Sequence, residues 1–505
     1  MVIENFLKDE VWYGGSVDKG VAQPIDSQTE MVVNFKNPQA TNQVQAFFIS
    51  NKGRVLLIDE EIVLTFKEGK IMSPHSFFIL SETDTLKDAY LKGMANCFPF
   101  KSIELDDRLF SEPIYNTWIE LTFYQTQEAI LKYAQGILEA GFPPGILMID
   151  DGWSDYYGKW SFSKESFGMP KHFLERLEDF GFSVMLWVCP YITPDTKEFR
   201  ELERKGYLVK SKEGDPYIVH WWNGYSAVLD VSHPKAREWL YQKLDDLQKM
   251  GVKGFKFDGG ESMYMSSDMQ TYGNVTPAEF SNHWAKFGSV YHFNEYRYTV
   301  NAGGYSLFQR LADKCHSWDT SGVKGLLPNT LLQGLIGHPF SSPDMIGGGE
   351  YKNFENVSEM GIDEELFCAH SWVASLMPAM QFSAAPWRVL SEEGLEEIRA
   401  SLELRSEYLP IIMNLISESK QTGEPVIRYM EYEFPHQGAE KISDQFMLGK
   451  NILVAPFLEK GKSTRQVFVP DGKWQWEREI ISSVGEYINF KKTERAKPII
   501  LKKIG

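Results

Sequence analysis

The sequence predicts an α/β protein, a (β/α)8 TIM barrel flanked by an N-terminal β-sandwich and a small C-terminal β-domain. Three observations carry that expectation. Continuous apolar runs alternate with amphipathic runs through the middle of the chain, as parallel strands covered on both faces require. More than four such units fit into roughly 300 residues, which favours a closed barrel over an open sheet. Both ends of the chain instead alternate apolar and polar positions with period two, the pattern of antiparallel strands. At 505 residues the chain is too long for one compact core, and it is expected to divide at 1–110, 111–422 and 423–505.

The elements follow in order. EMVVNF, VQAFFIS, RVLLIDEE, IVLTFKEG and SFFILSET read as the short strands of the sandwich. TQEAILKYAQGILEAG is an amphipathic helix ending at Gly141, and GILMIDDGW is an apolar strand ending in two acids. HFLERLEDFGF reads as a helix and SVMLWVCPYI as a strand; KAREWLYQKLDDLQKMG reads as a helix and VKGFKFDGG as a strand. YRYTVNAGG is expected as a further strand, and the run ending in HSWDTSG as another that stops at Asp319. Polar residues gather where these strands end: Asp150, Asp151, Trp187, Asp258, Asn301 and Asp319. Loops at that end build the active site of such a barrel. VIRYMEYEF, NILVAPFL, RQVFVPDGKWQW and KPIILKKIG return to the strand pattern of a β-domain.

Composition narrows the function. With 52 Lys and Arg against 69 Asp and Glu, the net charge of −17 repels nucleic acid and anionic lipid, so neither is an expected partner. Aromatic residues reach 14%, including 14 Trp, which suits either sugar stacking or a large core. The four cysteines, Cys97, Cys189, Cys315 and Cys368, are widely spaced and read as free thiols of a reducing compartment. Without a basic and apolar leader at residues 1–15, a cytoplasmic location is expected; an export signal on a longer precursor would make the protein secreted. No run of about 18 apolar residues is present, so no membrane span is expected. There is no GxGxxG, P-loop or GxSxG motif, and no cofactor or metal is expected. A homo-oligomer is compatible with all of this.

Asp258 and Asp319 are the leading acids. Two opposed carboxyl groups are the minimum equipment for cleaving a glycosidic bond. Lys256 lies two residues before Asp258, on the same strand face, where an ammonium would keep the carboxylate ionised. A helix cap is the alternative for Asp258, and an Asx-turn for Asp319. Asp150 and Asp151 stand side by side, so one can face a pocket and accept two hydroxyls. Trp187, Trp221, Trp222, Trp318 and Trp387 could each form a stacking wall or pack in a core. Trp12, in VWYGG, is expected to pack, with a site contact as its alternative.

From about residue 110 to 475 the chain resembles the retaining α-glycosidases of glycoside hydrolase family 31. The resemblance lies in FKFDGGE, in SWDTSG with GLLPNTLLQGLIGHPFSSPDMIGG, and in LRSEYLPIIMNLISESKQTGEPVIRYMEYEFP with DQFMLGKNILVAPFLEKG. It implies Asp258 as nucleophile, Asp319 as acid/base and Asp344 as a supporting acid. Substrate contacts are expected from Asp150, Asp151, Trp187, Lys256, Asn301, Trp318 and Asp344. Two departures stand out. Gln381 and Ser383 occupy an Arg-x-His segment of the family's α-glucosidases. No Arg stands at 301–304, and Arg310 matches only a later basic position. IDDGW is similar to the Asp pair of α-galactosidase families, where two acids bind O4 and O6. With MQFSAAPW, it points to the family's α-galactosidase and myogenesis-regulating glycosidase-like branch. The resemblance therefore implies a small α-glycoside substrate, an α-galactoside first. An α-glucoside, α-xyloside or sulfoquinovoside, transglycosylation, or a catalytically inactive sugar-binding barrel are the alternatives.

Overall fold

The computed structural model describes residues 1–58, 62–101, 105–355, 361–493 and 495–504. The last part of the expected strand RVLLIDEE, residues 59–61, and the final Gly505 lie outside the described residues.

The parallel sheet has eight strands. They are β1 (Ile114–Asn116), β2 (Ile146–Ile149), β3 (Ser183–Val188) and β4 (Gly254–Phe257). β5 (Asn294–Tyr296), β6 (Gln309–Arg310), β7 (Ser341–Ser342) and β8 (Gln381–Phe382) complete it. β1 to β7 pair in chain order, and β8 pairs with β1. Just past β7, Met345 bridges Gln381 in parallel, and the Ile346 amide donates to the Gln381 carbonyl at 2.8 Å. The two edges are thereby joined and the sheet closes into a barrel.

Local signals explain the helices around it. α1 (Gln127–Glu139) starts at Thr126, whose hydroxyl accepts from the Ala129 amide. α2 (Pro170–Asp179) and α3 (Pro234–Met250) each carry Pro at their first turn, where its missing N–H costs nothing. α4 (Pro277–Gly288) opens on a reciprocal Thr276–Glu279 capping box. α5 (Val323–Leu335), α6 (Glu364–Ser375) and the long α7 (Glu392–Thr422) follow. Residues 297–308, between β5 and β6, contain no helix. That break corrects two expectations. YRYTVNAGG is strand only at its first residue, Tyr296, and HSWDTSG is a set of bends and turns rather than a strand end.

The barrel interior changes character along its axis. Ile114, Ile146, Met148 and Met185 pack with Phe308 at the N-terminal end. One pleat further along the same strands stand Asn116, Asp150, Trp187 and Lys256, all buried. Apolar side chains therefore plug one end, and polar ones line the other.

The N-terminal part forms two four-stranded antiparallel sheets. Trp12 and Phe48 of one pack with Leu64, Phe66 and Ile71 of the other, so Trp12 is a core residue. This unit grips the β5–β6 segment. Val44 bridges Val300, the Gln43 amide nitrogen donates to the Arg297 carbonyl at 2.8 Å, and the Ala312 amide donates to Asn42 Oδ1 at 2.6 Å. The C-terminal part is a six-stranded and a two-stranded sheet around Trp474, Phe468 and Leu501. Among the described residues, no helix is long and apolar enough to cross a membrane.

Candidate active site

A cavity of about 540 Å³ opens at the C-terminal end of the barrel. Asp150, Asp151, Trp187, Lys256 and Asp258 line it, as the sequence leads one to expect. Arg297, Arg310, Asp313, Asn223, Trp222, Trp118 and Tyr351 line it as well.

Asp258 directly follows β4. Phe255 and Phe257 face the helical shell, where Phe257 stacks on Tyr296 with ring centroids 5.2 Å apart. Period two then turns Lys256 and Asp258 inward together, and their charged groups lie 3.9 Å apart. Gly259 (φ 71°) and Gly260 (φ 78°) turn the chain away at once, in a backbone region where other residues strain. The carboxylate is held from several sides. Trp187 Nε1 donates to Oδ2 at 3.0 Å, the Gly259 amide to Oδ1 at 3.0 Å, and Arg297 Nε and Nη2 to Oδ1 at 3.2 and 3.1 Å. Burial alone would push its pKa up, but Arg297, Lys256 and the Trp187 bond outweigh burial and hold it far below the usual carboxylate range. Asp258 is therefore an oriented anion at any physiological pH. Arg297 also ion-pairs with Glu261, whose burial raises its pKa to about 7.

Asp150 and Asp151 divide their tasks. Asp150 Oδ2 accepts from Lys256 Nζ at 2.7 Å and from Asn116 Nδ2 at 2.9 Å. Asp151 Oδ2 accepts from Tyr157 Oη at 2.6 Å and Asn223 Nδ2 at 3.0 Å. Burial raises the Asp151 pKa to about 7; the Tyr157 bond opposes that and the Asp150 charge adds to it. Below pH 7 this group is a neutral acid and above it a carboxylate that only accepts hydrogen bonds. The Michaelis constant is therefore expected to fall as pH rises through 7, and Asp151→Asn is expected to raise it and flatten that dependence. Initial rates between pH 6 and 8 check this, and an unchanged pH profile in the variant would count against it.

Asp319 does not reach the cavity. It is exposed on the turn before α5, and its Oδ1 accepts from Ser321 Oγ at 2.6 Å, the Ser321 amide at 2.8 Å and Ser317 Oγ at 2.9 Å. It is an ST-rich turn anchor, in line with its Asx-turn reading. Trp318 also points away, donating from Nε1 to Asp363 at 2.9 Å. Asn301 (φ 49°) accepts from the Ala46 amide at 2.8 Å and joins the N-terminal unit to the barrel. Asp344 lies completely buried beneath the cavity wall; its Oδ1 accepts from Arg310 Nη1 at 2.6 Å, and its Oδ2 from the Lys314 and Gly349 amides.

The acid that faces the cavity on that side is Asp313. It comes three residues after β6, and Arg310 Nη1 donates to its Oδ1 at 2.8 Å. Arg310 Nε donates in turn to Glu295 Oε1 at 3.2 Å, and Gln381 Nε2 to Glu295 Oε2 at 2.7 Å. Gln381 thus supports the arginine from below, while Ser383 accepts from the Ile119 amide. The sequence signal for Asp313 was QRLAD, an acid just past an apolar stretch. A strand of only two residues leaves no periodicity to expose it.

The description "Glycosyl hydrolases family 31 TIM-barrel domain" matches residues 114–415, and "Glycosyl hydrolase family 31 C-terminal domain" matches 423–502. The chain belongs to glycosyl hydrolase family 31. It is 35% identical over 379 residues to a myogenesis-regulating glycosidase of Mus musculus, covering 72% of this chain and 52% of that protein. It is 26% identical over 388 residues to an α-xylosidase of Lactiplantibacillus pentosus, covering 71% and 49%. The chain spans about half the length of these curated relatives. Among solved structures, a family 31 dextranase of Flavobacterium johnsoniae superposes with a TM-score of 0.86 at 19% identity, covering 99% of this chain and 66% of that one. A family 31 α-xylosidase from a soil metagenome gives 0.83 at 20% identity, covering 100% and 79%. At such identities these two bear on the fold alone.

Proposed function

We propose that the protein is a retaining, exo-acting α-glycoside hydrolase working by double displacement, with Asp258 as nucleophile and Asp313 as acid/base. The observation that carries this reading is the placement of both acids on one cavity, just past β4 and past β6, each tied to a cavity arginine. Asp313 gives a proton to the leaving oxygen as Asp258 attacks C1, forming a β-linked glycosyl-enzyme. Asp313 then takes a proton from water, which attacks C1 and releases Asp258, so the α-configuration returns.

For the glycone we propose an α-galactoside. Asp150 and Asp151 offer adjacent acceptors beside the Lys256 ammonium, suited to two hydroxyls on neighbouring ring positions. The IDDGW resemblance supports the same choice. α-Glucoside, α-xyloside and sulfoquinovoside are the competing glycones, each named among the relatives. A panel of nitrophenyl α-glycosides, with the first-formed anomer followed by NMR, tests the reading. Fastest turnover of the α-galactoside and release of the α-anomer are expected. Release of the β-anomer would overturn the mechanism, and faster turnover of another glycone the specificity.

A further inference from the structure

The backbone beside Asp313 is held from outside the barrel. β6 makes its last bond to β7 at Leu311, whose amide donates to the Ser342 carbonyl at 3.1 Å. The next amide, that of Ala312, donates instead to Asn42 Oδ1 of the N-terminal unit at 2.6 Å. Two residues on, the Lys314 amide returns to the barrel and donates to Asp344 Oδ2 at 2.7 Å. These bonds bracket Asp313. With its side chain 42% exposed, Asp313 is aimed by that backbone and by the Arg310 bond more than by packing.

Asn42 suits this task by its chemistry. It is buried, and it accepts on one side while its Nδ2 donates to Asp18 Oδ1 on the other. A carboxamide offers a donor and an acceptor on one planar group; a carboxylate or an alkyl chain does not. Asp18 holds the rest of the loop as well. Its Oδ2 accepts from the Thr41 amide at 2.7 Å and its Oδ1 from Thr41 Oγ1 at 3.1 Å. The turn that carries Asp18, Val17–Ala22, is seated on α5. At Gly20 a Cβ would fall 2.6 Å from the Pro328 carbonyl oxygen, so this close approach requires the glycine. Gln43 ties the same loop to both arginine segments, with its Nε2 2.8 Å from the Arg297 carbonyl and 3.2 Å from the Arg310 carbonyl.

We propose that Asn42 is a positioning residue for proton transfer: clamped by Asp18, it fixes the backbone at Ala312 and so sets where the Asp313 carboxyl group stands in the cavity. The inference rests on the reading of Asp313 as acid/base. It gives the N-terminal unit a part in the chemistry without a contact to the substrate. A displacement of about 1 Å at a reacting group costs up to about 10²-fold in rate.

The test uses the glycone that the unaltered protein turns over fastest. It compares kcat/KM for an alkyl α-glycoside, whose leaving oxygen must be protonated, with that for the α-glycosyl fluoride, whose departing fluoride needs little acid help. Asn42→Ala is expected to lose about tenfold or more on the alkyl glycoside beyond its loss on the fluoride. A merely structural loosening lowers both alike, so equal losses, or no loss on either, would overturn the proposal. The swap Asp18→Asn with Asn42→Asp keeps a donor facing an acceptor between the two side chains and an acceptor toward Ala312. It is expected to bring the alkyl-to-fluoride ratio back to within about threefold of the unaltered protein, whereas Asn42→Asp alone sets two carboxylates against each other and does not. A swap no better than Asn42→Asp sinks the proposal even where Asn42→Ala fails to fold. If the unaltered protein turned over neither substrate, the hydrolase reading would fall, and this inference with it.

Discussion

Asp258→Ala is expected to lower kcat by on the order of 10⁴-fold or more, the scale seen when an enzyme loses its nucleophile. The reason is geometric and electrostatic. The Asp258 carboxylate is the anion that Arg297, Lys256 and Trp187 Nε1 converge upon at the floor of the cavity. Removing it leaves the developing charge at C1 without a partner and the cations without theirs. The side chain that disappears leaves space at the face from which it would attack, so azide should enter there. Activity is expected to return with azide, and the product should be the β-glycosyl azide, inverted relative to the α-substrate. NMR of the product checks this; an α-azide would show that attack does not come from the Asp258 side.

The second large effect separates two acids six residues apart. Asp313→Ala is expected to reduce turnover of a disaccharide by about 10²–10⁴-fold, the range for loss of a general acid/base. The loss should shrink for substrates with a good leaving group, which need no proton in the first step. Azide should then yield the α-azide, because Asp258 still makes the glycosyl-enzyme. Asp319→Ala should leave turnover within about twofold and instead lower the melting temperature slightly, through loss of its turn hydrogen bonds. Steady-state rates and melting curves on the two variants decide the matter. Loss of turnover in Asp319→Ala with normal rates in Asp313→Ala would reverse the assignment made from the structure.

Much of the scaffold was legible because its signals are local. Thr126, Pro170, Pro234 and the Thr276–Glu279 pair mark helix starts within three or four residues of sequence. In β4 the alternation of Phe255, Lys256, Phe257 and Asp258 declares which face each side chain takes, so the inward placement of Asp258 follows from period two alone. The same applies to Asp150 after β2 and to Trp187 in β3, whereas Asp151 reaches the cavity because the chain turns there. These residues sit at the ends of strands long enough to show a pattern.

The other half of the site has no such pattern. β6 and β7 are two residues each, no helix separates β5 from β6, and the acid that lines the wall is one of two lying six positions apart. Asp313 and Asp319 are the same residue type, six positions apart. What separates them is long-range. Arg310 is anchored from β5 and β8 by Glu295 and Gln381 and can reach Asp313, while Ser317 and Ser321 hold Asp319 out in solvent. The Asn42 and Gln43 side chains of the N-terminal unit pin the same segment from more than 250 residues away. The sequence by itself determined the barrel, its two flanking β-units and the acids on its long strands, because strand alternation and helix caps are properties of neighbouring residues. Only the tertiary structure decided which acid lines the cavity together with Asp258 and where Arg297 and Arg310 sit, because those choices depend on side chains that meet through folding and share no local pattern.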